Sequence, residues 1–241
     1  MDWSESICRQ QIILFFMETP PLNIEYWSSL YPVYTDYAEE YKEGIDDCNW
    51  VDRVKNLWDW KGLNRSIEFD PIEQPLKQLD REDYTNLDPK EAIKLLSNEL
   101  QDHEIVSSES LVTSAFILHL MASDPDQYSA KFPIYDRRVW NAYVYLWRIR
   151  GDGQHLYSQA SNSVSQYGKF CHKFKRTCPE NKSQDYERAL FIFGRFIMKM
   201  SPNKTRTPIG DIDEKLEAQE KALSEMYETA DFALINTTKD L

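Results

Sequence analysis

The chain has 241 residues, 41% of them apolar and 13% aromatic, enough to pack an interior, which excludes disorder throughout. No apolar run reaches the roughly 18 residues that span a bilayer. Residues 12–17 are too short, and too weakly basic upstream, for a signal peptide, so a cytoplasmic protein without membrane contact is expected. The net charge of -12 argues against nucleic acid on average, because DNA binding rests on neutralising phosphates with Lys and Arg.

The average hides an asymmetry. Residues 131–210 carry 15 Lys and Arg against 5 Asp and Glu, whereas residues 1–130 carry 10 against 26 and residues 211–241 carry 3 against 9. A basic third of this kind suits a polyanion-facing surface, and it equally suits internal neutralisation of the acidic remainder. The acidic N-terminal third is a candidate protein-binding surface. Cys8, Cys48, Cys171 and Cys178 are scattered, which favours free thiols. Cys171-His172 with Cys178 falls short of the four closely spaced ligands of a structural zinc site, so neither metal nor cofactor is expected.

In chain order, residues 24–41 are aromatic and acidic and predict helix with a break near Pro32. Residues 51–63 predict one short helix ending around Gly62. Residues 64–83 hold Pro71 and Pro75 and read as irregular. Asp88-Pro89-Lys90-Glu91 is a helix start, with Leu95, Leu96 and Leu100 behind it. Ser107 or Ser108 caps a following helix that is apolar on most sides and therefore buried. After a loop over residues 123–131, a helix begins near Asp136 and runs to Gly151. Residues 152–165 read as loop followed by a helix start, and residues 171–184, basic and interrupted by Pro179, as an exposed connection. Residues 186–200 form an apolar helix stopped by Ser201-Pro202-Asn203, and Asp211 with Glu214 starts a charged helix reaching the mid-230s. No sustained alternation calls for a large sheet, so the fold class is all-α.

The segment that points to chemistry is Lys131-Phe132-Pro133-Ile134-Tyr135-Asp136-Arg137-Arg138-Val139-Trp140. Pro133 drives its neighbours to extended geometry and leaves Asp136 where the next helix starts. On position alone Asp136 is an N-cap.

This segment resembles the signature of the helix–hairpin–helix DNA glycosylases, in particular bacterial relatives with a Phe-Pro-Ile-Tyr-Asp box. The matching stretch is residues 110–147, including Ile117-Leu118-His119-Leu120-Met121 before the box. Leu57-Trp58-Asp59-Trp60-Lys61-Gly62 resembles an upstream aromatic-Trp-Lys element, and Phe193-Gly194-Arg195-Phe196-Ile197-Met198 a C-terminal helix packed on the core. The resemblance implies two helical lobes flanking a cleft: residues 1–85 with 185–241, and residues 86–184. It implies Asp136 as catalytic carboxylate, stabilising positive charge on deoxyribose and activating water. Beside it, Tyr135, Trp140, Trp58 and Trp60, with Lys61, are a candidate base-binding set by their chemistry, and Arg137, Arg138, Lys131, Lys173, Lys175 and Arg176 are candidates for the DNA backbone.

The departures shape the expectation. No lysine lies between residues 95 and 130, so a Schiff-base lyase is not expected and a monofunctional glycosylase is. No glycine lies between Gly62 and Gly151, so the phosphate-binding hairpin turn of the family is missing. The four-cysteine iron–sulfur loop is absent too. By analogy the substrate is a modified base, with bulky modified bases of phage DNA as one class. The alternatives are an inactive all-α interaction protein that keeps the core, and an unrelated helical fold with a chance match. Aromatic residues at these spacings are equally core, the cations equally solvated surface, and His119 reads as a satisfied core histidine.

Overall fold

The computed structural model describes residues 20–34, 38–47, 49–65, 67–105, 111–124, 128–147, 155–157, 159–200, 206–227 and 233–235. Among them the fold is all-α, apart from a ladder of two three-residue strands. No helix among them is long and apolar enough to cross a membrane.

Asn23 caps α1 (Ile24–Ser29), which is followed by α2 (Tyr31–Tyr34) and α3 (Ala38–Ile45). The break expected at Pro32 falls at Leu30, and Pro32 sits second in α2, where a missing N–H loses no helical bond. Asn49 caps α4 (Trp50–Lys61), and Gly62 ends it in the left-handed region at φ 76°. The expectation of irregular chain over 64–83 is corrected: a 3-10 turn (Leu63–Arg65) leads to α5 (Asp70–Lys77) and α6 (Arg81–Thr85). Pro75 lies only one turn into α5 and forfeits a single bond, while Ile72 and Leu76 bury together at i, i+4 spacing.

Asp88 caps α7 (Pro89–Asp102) by accepting from Lys90 N–H. Ile93, Leu96 and Leu100 bury, whereas Leu95 points outward at 42% exposure. The next helix, α8 (Leu111–Ala122), is enclosed on every side and forms the core of the fold, with α4, α6 and α7 packed around it. The serine cap expected for it lies outside the described residues.

Asp136 caps α9 (Arg137–Leu146), which closes at Trp147. This is earlier than the stop expected at Gly151, which with Arg148 and Arg150 lies outside the described residues. Residues expected to be loop hold β1 (His155–Tyr157), which pairs antiparallel with β2 (Arg206–Pro208). A pairing across fifty residues leaves no local mark in either strand.

Ser163 caps α10 (Val164–Thr177), so the exposed connection expected over residues 171–184 is corrected to residues 178–182. Tyr167, Phe170, Phe174 and Thr177 recur at helical spacing and bury, while the lysines between them face outward. Next, α11 (Ser183–Met200) packs on α9 and α1, and α12 (Gly210–Tyr227) follows β2. The remainder of the expected run to the mid-230s is described only at residues 233–235. There the Leu234 carbonyl accepts from the Trp27 indole N–H at 2.9 Å and ties the C-terminal end to α1.

Candidate active site around Asp136

The box is held as a loop between α8 and α9 by two buried side chains. His119 of α8 is fully buried, with Nδ1 at 2.9 Å from the Phe132 carbonyl oxygen and Nε2 at 2.7 Å from the Tyr41 hydroxyl. A carbonyl can only accept, so Nδ1 carries the proton, and neutral Nε2 accepts from the Tyr41 O–H. Burial lowers the His119 pKa to about 4, against the favourable bond to Phe132, and this keeps the imidazole neutral. The second clamp is Glu187 of α11, whose Oε1 accepts from the Ile134 N–H at 3.0 Å.

With the loop pinned, Asp136 turns into α9 from an extended backbone at φ -149°. Its Oδ1 accepts from Arg138 N–H at 2.8 Å and Val139 N–H at 2.9 Å. That uses one oxygen for the helix and leaves Oδ2 facing two cations. Lys61 Nζ, at the end of α4, stands 3.9 Å from it, and an Arg138 guanidinium nitrogen 3.6 Å. Burial holds the Lys61 amine below its usual range, with Asp136 pulling the other way. Arg138 is braced by its guanidinium lying 4.8 Å over the Phe191 ring.

These groups surround a recess of about 40 Å³ whose walls include Asp136, Lys61, Glu187, Tyr41, Trp60 and Arg188. Asp136 keeps 13% and Lys61 9% of its side-chain surface accessible, so the recess communicates with solvent. Burial lifts the Glu187 carboxyl to about 8, although the Ile134 N–H, Lys61 and Arg188 all act to lower it. A larger apolar groove of about 410 Å³ lies between α1, α11 and α12, lined by Trp27, Phe196 and Leu223, with no carboxylate on its walls.

Of the residues singled out in the sequence, the fold gathers Asp136, Lys61, Trp60 and Arg138 at this recess. Tyr135, Trp58 and Trp140 instead lie in the core. Tyr135 is fully buried with its hydroxyl on the Ser161 carbonyl, and the Trp58 indole N–H donates to Ile67 O. Trp140 packs edge-on against Tyr135 and at a tilt against Tyr143.

The cations spread over three places. Arg137 is exposed at the start of α9. Lys131 donates to Thr85 O at 2.8 Å and feels the charge of exposed Lys175. Lys173 lies 5.9 Å over the Trp147 ring, and Arg176 is exposed at the end of α10.

Sequence reasoning passed over Glu187 and Tyr41. Glu187 was detectable: it falls in register with Leu190, Gly194 and Ile197 on the buried face of α11, where an acid is out of place. Cys171 on α10 and Cys178 just after its end are buried free thiols, and His172 pairs with Asp88 at 2.8 Å instead of joining them. No family model matches this chain, and neither does any curated protein or solved structure.

Proposed function

We propose that this protein is a monofunctional DNA glycosylase that removes a modified nucleobase, with bulky modified bases of phage DNA as one class. The observation that carries the reading is the state of Asp136. One oxygen fixes the carboxylate to the start of α9, and the other faces a solvent-connected recess beside Lys61 and Arg138. A rigid carboxylate in such a place suits a reaction that builds positive charge on a sugar, because it stabilises that charge without reorganising. It also accepts a proton from attacking water.

The recess has room for water and none for a nucleobase. The flipped base therefore lies outside it, near Trp60, and the sugar approaches its mouth. Arg137 at the start of α9 and Lys175 on α10 supply cations for phosphates, in keeping with the basic balance of residues 131–210. The glycosylase-like two-lobed arrangement belongs to this proposal.

The reading is tested by incubating DNA with wild-type protein or Asp136→Asn and cleaving with alkali, using genomic DNAs that include phage DNA with modified cytosines. Breaks made by the wild type and absent with the variant are expected. Breaks made equally by both remove Asp136 from the mechanism, and none on any DNA removes the function. In that last case the second reading takes over: an all-α interaction protein that keeps the core without the chemistry. The smallness of the recess favours it.

A further inference from the structure

The recess beside Asp136 carries more positive charge than its acids answer. Lys61, Arg138 and Arg188 stand against two carboxyl groups, Asp136 and Glu187, so a cation is left over even with both acids ionised. Lys61 and Arg138 share the free oxygen of Asp136, at 3.9 and 3.6 Å. Glu187 is tied to the box loop through the Ile134 N–H. Arg188 is the cation without an answer: among the described residues, no hydrogen bond or ion pair reaches its guanidinium.

Arg188 is nevertheless held in place. It is half-buried on the wall of the recess, and its guanidinium lies 5.3 Å over the ring of Tyr31 in α2. Tyr31 meets Phe191 edge-on at 5.8 Å, and Phe191 carries Arg138 over its own ring at 4.8 Å. The four side chains therefore run in the order Arg138, Phe191, Tyr31, Arg188, with both rings lining the recess. A ring beneath a guanidinium covers one face and leaves the in-plane N–H groups to donate. A fork fixed in this way has lost its freedom before any ligand arrives, and its geometry matches two oxygens of a phosphate.

The substrate supplies that anion. A nucleotide whose sugar stands at Asp136 brings a phosphodiester to the same place on either side of the sugar. No glycine lies between Gly62 and Gly151 to form a turn of bare N–H groups around a phosphate, so holding one beside Asp136 falls to a side chain. Arg137 and Lys175 face open solvent, whereas Arg188 lines the recess itself.

We propose that Arg188 is the seat of a phosphodiester flanking the extruded nucleotide, donating through one edge of its guanidinium to the two non-bridging oxygens. The inference rests on the glycosylase reading and deepens it. Extruding a nucleotide sacrifices stacking and pairing, and a fixed cation on the adjoining phosphate offsets part of that loss. Arg188 thereby keeps the sugar at the mouth of the recess, where Asp136 opposes its positive charge.

The test is fluorescence anisotropy with two labelled duplexes, one unmodified and one with a single abasic site, whose bare sugar reaches the recess with no base to extrude. Wild type, Arg188→Gln and Arg188→Lys are titrated as full chains at several salt concentrations. On the abasic duplex, Arg188→Gln should lower the slope of log affinity against log salt by about 0.9, the loss of one phosphate contact. On the unmodified duplex, whose nucleotides stay stacked and away from the recess, its slope should match that of the wild type. Arg188→Lys keeps the charge without the fork. It should keep the slope and bind the abasic duplex about 3- to 10-fold more weakly, the worth of one hydrogen bond.

An unchanged slope for Arg188→Gln on the abasic duplex overturns the assignment. So does an equal loss on both duplexes, which makes Arg188 one more surface cation. Inorganic phosphate that raises the melting temperature of the wild type and not of Arg188→Gln, with both slopes unchanged, gives the seat to free phosphate and overturns the assignment as well. Should Arg188→Gln fail to fold, Arg188→Lys decides alone, and weakening of less than about threefold overturns it. The expected loss of slope without alkali-labile breaks on any DNA upholds the phosphate seat and removes the glycosylase reading alone. A wild type that binds neither duplex overturns both.

Discussion

A Cβ built on Gly194 would stand 2.0 Å from the carbonyl oxygen of Arg138 and 2.6 Å from its carbonyl carbon. The middle of α11 is thus pressed against the first turn of α9, the turn that Asp136 caps. Glu187, two turns earlier on α11, reaches the box loop from the same helix. The close approach at Gly194 therefore sets the distance between the two carboxyl groups of the recess.

Gly194→Ala should accordingly be costly. The obstacle is backbone, which cannot swing aside as a side chain does, so the loss belongs at or above the upper end of the usual overpacking range, about 3 kcal/mol. Denaturant unfolding of the two proteins checks this. A loss under about 0.5 kcal/mol, the scatter of neutral surface changes, would mean that the helices separate freely and that the close approach does not position Asp136.

Asp136 has two roles that substitution can separate. Asparagine is as good an N-cap as aspartate, so Asp136→Asn should leave stability within about 0.5 kcal/mol, while Asp136→Ala should lose about 1 kcal/mol. Both variants should be inactive in base excision, since neither can take a proton from water or oppose positive charge on the sugar. Unfolding curves beside alkaline cleavage make the comparison. Activity surviving in the asparagine variant would reduce Asp136 to its capping role.

The parts of this fold legible in the sequence were those written in short-range chemistry. Asp88-Pro89 and Gly62 mark their helix ends, and the unbroken apolar run from Leu111 identifies α8 as buried. Asp136 as a cap followed from Pro133 and the start of the next apolar period. What escaped was decided by packing. The second half of α10 looks like a basic loop unless Phe170, Phe174 and Thr177 are read as one stripe. Likewise α5 survives its internal proline because Ile72 and Leu76 reach the core. The site was half visible: Asp136 and Lys61 could be named, but not that they meet, because 75 residues separate them and only the docking of α4 on α8 joins them.

Two buried groups should give stability opposite slopes on either side of a maximum. His119 titrates near 4 when folded against 6.5 as the free side chain. The unfolded chain therefore binds more protons between those values, and stability is lost as pH falls from 6.5 towards 4. Glu187 is the reverse case, near 8 folded against 4.5, so stability is lost as pH rises from 4.5 towards 8. Each contribution is on the order of a few kcal/mol. Unfolding free energies measured across this range should show the alkaline slope flattened in Glu187→Gln. An identical slope in that variant would mean that Glu187 is already ionised at neutral pH.

The cations of the basic segment should report their meeting with DNA through salt. Removing one cation that neutralises a phosphate reduces the slope of log affinity against log salt by about 0.9 for duplex DNA. Arg137 and Lys175 are exposed on different helices, α9 and α10, so each tests a different part of the surface. Replacing either by glutamine should lower the slope by about one if the backbone crosses both, and the double variant by about two. Asp136→Asn should leave the slope untouched, because Asp136 acts at the sugar and carries no phosphate. Fluorescence anisotropy with a labelled duplex at several salt concentrations gives all four slopes. A change at Arg137 alone would confine DNA to the mouth of the recess, whereas no change at either position would take the basic segment out of DNA binding and assign its charge to balancing the acidic N-terminal half.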